Sequence, residues 1–348
     1  MTVIKLLFLL AIPLLSNDPQ HLCDLDDKVN ETSGLISIED RVFTHNDSGG
    51  DNSLYEIDTE TCSIIREVKI NNSSNVDWED MCTDGEFIYL ADFGNNSGSR
   101  KDLKIYKFSI EETLIQDEVE AQVINFTYQD QTDFNSSSSH NFDAEALISI
   151  EDSLYIFTKN RGDYRSNIYS LSKEPGTYNI NPINSFNASS LVTGADVDEM
   201  NNMIYLTAYQ LFIPQLIQIE LDNFPSEINF TKANIQTKNS PQLEAICIHK
   251  NNLLLSTESF SGSKAELYNM NITPSSLEEN RSVDYSINDN KILFQTDDVF
   301  LIKVYDINSK LVLDKKDKQI DLSELKKGVY LIKYSNNETS KTIKFIKD

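Results

Sequence analysis

Basic residues are in short supply in this chain, with 30 Lys and Arg set against 55 Asp and Glu, a net charge of −25 over 348 residues. That field repels nucleic acid and anionic membranes and makes cations the natural counterpart. Cysteine is scarce as well, and the spacing of Cys23, Cys62, Cys82 and Cys247 fits no zinc pattern. Sustained helical periodicity is missing, which excludes a helix bundle. Long apolar runs are missing too, apart from Leu6 to Leu15, which follows Lys5 and precedes the small Ser16. That run is about half the length a bilayer span needs, so residues 1–16 read as a secretory signal peptide.

Export permits disulfides. Cys82 and Cys247 sit inside apolar strand heads and read as buried thiols, whereas Cys23 and Cys62 lie in more polar context, where a bridge between them can form. The acidity is uneven. From Arg281 onward there are 13 basic and 11 acidic residues, leaving 17 and 44 before it, so a segment of −27 is joined to one of +2. Together with the change of pattern after Pro274, this divides the chain into residues 17–280 and 281–348.

What the first segment has is a repeat. Five stretches share a short strand head, a polar turn, a second strand such as "FIYLAD" or "LYIFTK", a polar loop and a third strand such as "IYSLS". Anchored on Ser33, Glu79, Glu145, Ala195 and Glu244, they are offset by 46, 66, 50 and 49 residues, the length of a four-stranded sheet with its turns. Outer fourth strands are supplied by stretches such as "REVKI" and "AQVINFTYQ". The expected fold is all-β: a β-propeller of five blades, or six if a degenerate unit hides in the longest offset, followed by a small β-sandwich. The last unit breaks at Pro274 before its fourth strand, and "HLCDLDDKV" near the start can supply it, closing the ring.

In a propeller the loop entering the innermost strand opens on the same face as the loop leaving the second strand. Polar residues far apart in sequence then share one rim. The entering motifs carry Glu31 and Ser33, Asp77 to Asp80, Asp143 and Glu145, Asp196, and Glu244. The leaving motifs carry His45, Asn46 and Asp47, then Asp92 and Asn95, Lys159 and Arg161, Tyr209, and Glu258. So many carboxylates at one mouth repel one another unless basic groups or a hard cation sit among them, and Ca2+ accepts such oxygen ligands without strict geometry. Two functions follow from different classes. A binding module would recognise an extracellular small molecule, glycan or peptide, with Trp78 and Tyr209 as aromatic contacts. A metal-dependent hydrolase of an ester, lactone or phosphoester would use His45, Asp47 and Glu79 as its acid–base groups.

The ordered set "HNDSGG", "DWEDM", "LADFGNN", "DAEAL", "FTKNR" and "TGADV" resembles a family of secreted β-propellers with likeness to esterase-like phytases and calcium-dependent, gluconolactonase-type lactonases. By motif position, this resemblance implies metal ligation by Glu79, Glu145, Asp196 and Glu244. The tail, with "VYDINSKLV", "DLSELKKGVYLIKY" and the terminal "KFIKD", resembles the C-terminal sorting domain of the type IX (Por) secretion system. That implies a partner in the type IX machinery and a secreted or cell-surface location; a monomer is expected.

Overall fold

The computed structural model describes residues 18–239, 242–272, 285–288, 291–294, 300–306, 310–335 and 340–347, so the expected signal peptide and the segment from Pro274 to Arg281 lie outside the described residues. The chain divides into two compact units, Met1–Ser275 and Ser276–Asp348.

In the first unit, five sheets surround a closed ring of innermost strands. Blade 1 starts with Thr32–Ile38, blade 2 with Trp78–Thr83, blade 3 with Ala144–Ile150, blade 4 with Leu191–Asp198 and blade 5 with Leu243–His249. Each of these strands packs against the next, and the fifth packs against the first. The unit is a five-bladed β-propeller. The longest offset holds no sixth blade: it is filled by the short helix Ile110–Ile115, the strand Glu118–Glu120 and the loop from Asp130 to Asp143. The Glu118–Glu120 strand joins blade 1 in parallel along Ile64–Asn71, and Gly176–Ile180 joins blade 2 in parallel along Gln122–Tyr128, so two blades have a fifth strand.

Closure uses the N-terminal stretch expected from the sequence. Gln20–Asp24 pairs antiparallel with Glu266–Asn271 and completes blade 5, which removes the open edges a broken ring would leave. A Cys23–Cys62 disulfide, with Cα atoms 5.8 Å apart, ties this closing strand to blade 1. Cys82 and Cys247 are buried thiols.

The core follows strand alternation. Between blades 1 and 2, Ile36, Phe43, Leu54 and Val68 meet Met81, Leu90, Tyr106 and Phe108, and the other blade pairs pack likewise. The second unit is a small β-sandwich. One sheet has Tyr285–Asn288, Lys291–Phe294 and Gln319–Asp321, and the other has Leu311–Asp317, Phe300–Asp306, Gly328–Ser335 and Ser340–Lys347. Phe294, Phe300, Ile302, Ile332 and Tyr334 are buried in its own core.

A candidate site at the channel mouth

Every innermost strand carries a β-bulge at the same place. The pairing with the second strand shifts between Thr32 and Gly34, Trp78 and Asp80, Ala144 and Ala146, Val192 and Gly194, and Leu243 and Ala245. The extra residues are Ser33, Glu79, Glu145, Thr193 and Glu244. A bulge re-aims a side chain, and five of them at matching positions turn one residue per blade away from the sheet pattern. The two uncharged members cross to the next blade: Ser33 Oγ donates to the Glu79 carbonyl at 2.8 Å and Thr193 Oγ1 to the Leu243 carbonyl at 2.6 Å. The three glutamates line a cavity of about 240 Å3 together with Asp47, Asn96, Lys159, Arg161, Tyr209, Gln242 and Glu258.

The fourth bulge corrects one expectation. Thr193, two residues before the anchor Ala195, holds the place equivalent to Glu79, so Asp196 falls away from the mouth. Its carboxylate accepts from the Val197 and Ile248 amides at 2.8 and 2.7 Å. Asp80, beside Glu79, behaves the same way: Oδ1 accepts from the Met81 amide and Oδ2 from the Leu147 and Ala195 amides, joining blades 2, 3 and 4.

The basic residues of the mouth are tied chiefly to blade 3, with Arg161 also donating to Asn96 of blade 2. Lys159 Nζ donates to Glu145 Oε2 at 2.9 Å, and Arg161 pairs with Asp143 at 3.0 Å and with Glu145 at 3.8 Å. Burial works against the Lys159 ammonium, but the Glu145 and Glu244 carboxylates outweigh it and hold the pKa well above the ordinary lysine value. Lys159 also lies 5.4 Å from the Tyr209 ring centroid. Glu145 is therefore a paired acid.

Glu79 is not. It is 3% exposed, and its buried Oε1 has no hydrogen-bond partner. Burial, followed by repulsion from Glu145, Asp47 and Asp77, pushes its carboxyl well above the usual carboxylate range. One oxygen from each of Asp47, Asp77 and Glu79 lies within 4.8 Å of the others. Burial and the neighbouring Asp77 raise Asp47 to about 7, and burial raises Asp77. Burial and Glu244 raise Glu258 to about 8, and burial raises Glu244 as well. Gly94 makes room for the trio, because a Cβ there would lie 2.0 Å from Glu79 Oε1 and 2.6 Å from Asp77 Oδ2.

Other expected site residues support this arrangement from behind. His45 is fully buried. Its Nδ1 meets the Asn46 carbonyl at 3.0 Å, its Nε2 is without a partner under Gly34, and burial lowers its pKa to about 4. It does not line the cavity. Trp78 is a core residue, its Nε1 donating to the Ser74 carbonyl at 2.9 Å and its ring edge-on to His45 and Tyr106. Asn46 ties the Lys28 carbonyl to the Glu31 amide. Asp92 pairs with Arg100 at 2.8 Å and accepts from the Asp77 amide, and Asn95 joins Phe142 to Arg100. Nothing in the sequence pattern marks Asn96 or Gln242, and Asp77 stands out there only within the run Asp77 to Asp80; the fold brings all three to the mouth.

Residues 286–348 match the family model of the secretion system C-terminal sorting domain. The chain is thus delivered by the type IX secretion machinery and is secreted or attached to the cell surface. No curated protein matches the chain. Among solved structures, a GH43 β-1,3-galactosidase with galactodeoxynojirimycin is similar at 7% identity and a TM-score of 0.42, covering 72% of this chain and 93% of that one. A protein assigned as a 6-phosphogluconolactonase, from Bacteroides uniformis, is similar at 12% identity and 0.34, covering 83% and 85%. An exo-β-1,3-galactanase from Phanerochaete chrysosporium is similar at 15% identity and 0.36, covering 52% and 43%.

Proposed function

We propose that this exported propeller holds a divalent cation, Ca2+, at Asp47, Asp77 and Glu79, and that the acidic mouth around it recognises an extracellular ligand. The observation that carries the reading is the unpartnered, buried Oε1 of Glu79, facing two further carboxylates in a space that Gly94 leaves free. Leaving a buried carboxylate oxygen unpaired costs of the order of 1–3 kcal/mol, so a native site needs a partner for it. The donors are all carboxylate oxygens, which suits a hard cation. A bound cation would offset the mutual repulsion of the acids and offer a coordination position to a ligand oxygen. Glu145 is set aside from the ligand set because Lys159 neutralises it, Asp196 because backbone amides satisfy it, and Glu244 stays as part of the acidic wall.

Metal-dependent hydrolysis of an ester, lactone or phosphoester is a second reading, favoured by one observation: Asp47 lines the cavity beside Asp77 and Glu79, where a carboxylate can take a proton from water next to a bound cation. His45 has no such access, being buried and kept neutral.

Metal analysis and melting curves test the cation. Calcium at a hundredfold excess over its dissociation constant is expected to add about 2.7 kcal/mol of stability, and Glu79→Gln to abolish that gain. If calcium and chelator leave the melting temperature unchanged while Glu79→Gln melts higher than wild type, the acids merely repel and the reading fails. An ester, lactone and phosphoester panel on the same samples, with Asp47→Asn as the control, decides the second reading.

A further inference from the structure

The hairpin that carries Tyr209 ends in an unusual turn. Met203–Gln210 and Ile213–Glu220 are joined by two residues, Leu211 and Phe212, at φ of 49° and 62°. A two-residue turn with both φ values positive is the conformation for which Asn-Gly is the favoured sequence, and left-handed backbone costs other residues roughly 1–2 kcal/mol each. Nothing is recovered by burial. Leu211 is 86% exposed, Phe212 64% and Ile213 47%. Phe260, from the loop after the second strand of blade 5, brings its ring within 6.3 Å of Phe212. Two bulky residues thus occupy a turn that disfavours them, and beyond the Phe212–Phe260 contact they add little packing to the fold.

Their position gives them a use. Tyr209 lines the mouth two residues before the turn, and Glu258 lines it two residues before Phe260. The apolar tip of blades 4 and 5 therefore adjoins the acidic wall of blade 5. Glu258 accepts from Gln242 Nε2 at 3.0 Å and has no ion pair among the described residues, while Arg161 is committed to Asp143. An occupant that suits both halves is cationic where it meets the crowded acids Glu258 and Glu244, which share the Gln242 side-chain amide and whose mutual repulsion a cation relieves, and apolar where it meets Phe212 and Phe260. A neutral sugar leaves that crowding unrelieved, and an anionic lipid surface is repelled by the chain's charge of −25.

We propose that Leu211, Phe212, Ile213, Phe260 and Glu258 form a docking surface for an extracellular polypeptide segment in which Lys or Arg adjoins an apolar residue. This rests on the reading of the mouth as a recognition site and names the class of its partner.

Fluorescence anisotropy with the full chain tests it, using a labelled glycine-rich hexapeptide with adjacent lysine and leucine, in calcium and in chelator. Changing the peptide's lysine to glutamate, or its leucine to serine, is expected to weaken binding about tenfold or more, as loss of an anchor does. Leu211→Asn combined with Phe212→Gly is expected to weaken binding equally while raising the melting temperature, because Asn-Gly relieves the turn. Phe260→Ser is the second variant should the double one fold poorly, and Glu258→Gln is expected to flatten the salt dependence. The inference is overturned by no binding, by binding indifferent to the tip, or by an oligosaccharide or anionic vesicle binding with the same tip dependence. Tip-dependent peptide binding without any calcium response supports this inference and sinks the cation. A calcium response with tip-independent peptide binding does the reverse.

Discussion

Glu79 and Asp80 are consecutive acids, both buried, and the fold treats them in opposite ways. Asp80 enters the ring of innermost strands, where three backbone amides from three blades meet its two oxygens. Glu79 sits on the bulge, is turned to the mouth, and leaves one oxygen unanswered among like charges. Burial alone therefore does not mark a functional acid. The distinction is whether the protein itself supplies the partners: where it does, the acid is a staple of the fold, and where it does not, a partner from outside is implied.

The comparison is broken most severely at the staple. Asp80→Ala removes one acceptor from each of three buried amides, and unsatisfied buried groups cost of the order of 1–3 kcal/mol each, so a loss of roughly 3–9 kcal/mol is expected in chemical denaturation. Glu79→Gln without calcium is expected to leave stability unchanged or slightly raised. Equal destabilisation by the two variants would erase the distinction.

Reduction of Cys23–Cys62 is expected to cost about 4 kcal/mol by the loop-entropy relation for a crosslink between residues 39 apart. It acts on the closing strand, so the calcium response of the mouth should survive it in whatever fraction remains folded. Loss of that response while the protein is still folded would tie the site to ring closure rather than to the bulges.

A smaller change sharpens the contrast without touching any charge. Gly94→Ala puts a Cβ into the space held by Glu79 Oε1 and Asp77 Oδ2. The trio has to move apart, and calcium affinity is expected to fall by about tenfold or more, as misplaced ligands cost a preorganised site. Titration calorimetry measures it. Unaltered affinity would move the cation elsewhere in the mouth.

Much of this was legible in the sequence. Five blades, the outer strands of blades 1 and 2, the closing strand before Asp24 and the convergence of Asp47, Glu79, Glu145, Lys159 and Glu244 all follow from a repeat whose spacing is set by strand length. The site's fine geometry was not, and bulges are the reason. A bulge breaks the period-two alternation at the strand head, so position there cannot be read from the apolar pattern, and Asp196 reads as an entering acid until the pairing shows Thr193 at the bulge. The roles of His45 and Trp78 were hidden for another reason: a polar atom's neighbours come from blades remote in sequence, and Gly34 alone makes room over the His45 ring. Gly94, in "ADFGNN", has Asp92 as its one acidic neighbour in sequence, so its place against Glu79 and Asp77 shows only in the fold.

The gentlest probe of the mouth is pH, and its sign follows from the direction of the shifts. Asp47 at about 7 and Glu258 at about 8, with Asp77 and Glu244 also raised, hold protons in the folded chain at pH values where the unfolded chain has released them. Without calcium, their contribution to stability is therefore greatest below the ordinary carboxyl range of about pH 4, falls as pH rises from there through 7 to 8, and levels off above, the slope being at most about 1.4 kcal/mol per pH unit for each extra proton held. Acids with lowered pKa, such as Glu56 between Arg41 and Arg66, act the other way, but their contribution is lost only as pH falls below the ordinary carboxylate range. Calcium competes with those same protons at Asp47, Asp77 and Glu79. The stabilisation it brings should be small at pH 5 and grow toward pH 8, while Asp80, fixed by amides and out of reach of the mouth, contributes nothing to the difference. Melting curves across this range, with calcium and with chelator, give two lines that diverge as pH rises if the mouth is a cation site. Parallel lines would mean that calcium acts on groups other than these raised acids, and the contrast between residue 79 and residue 80 would then be one of hydrogen-bond partners alone.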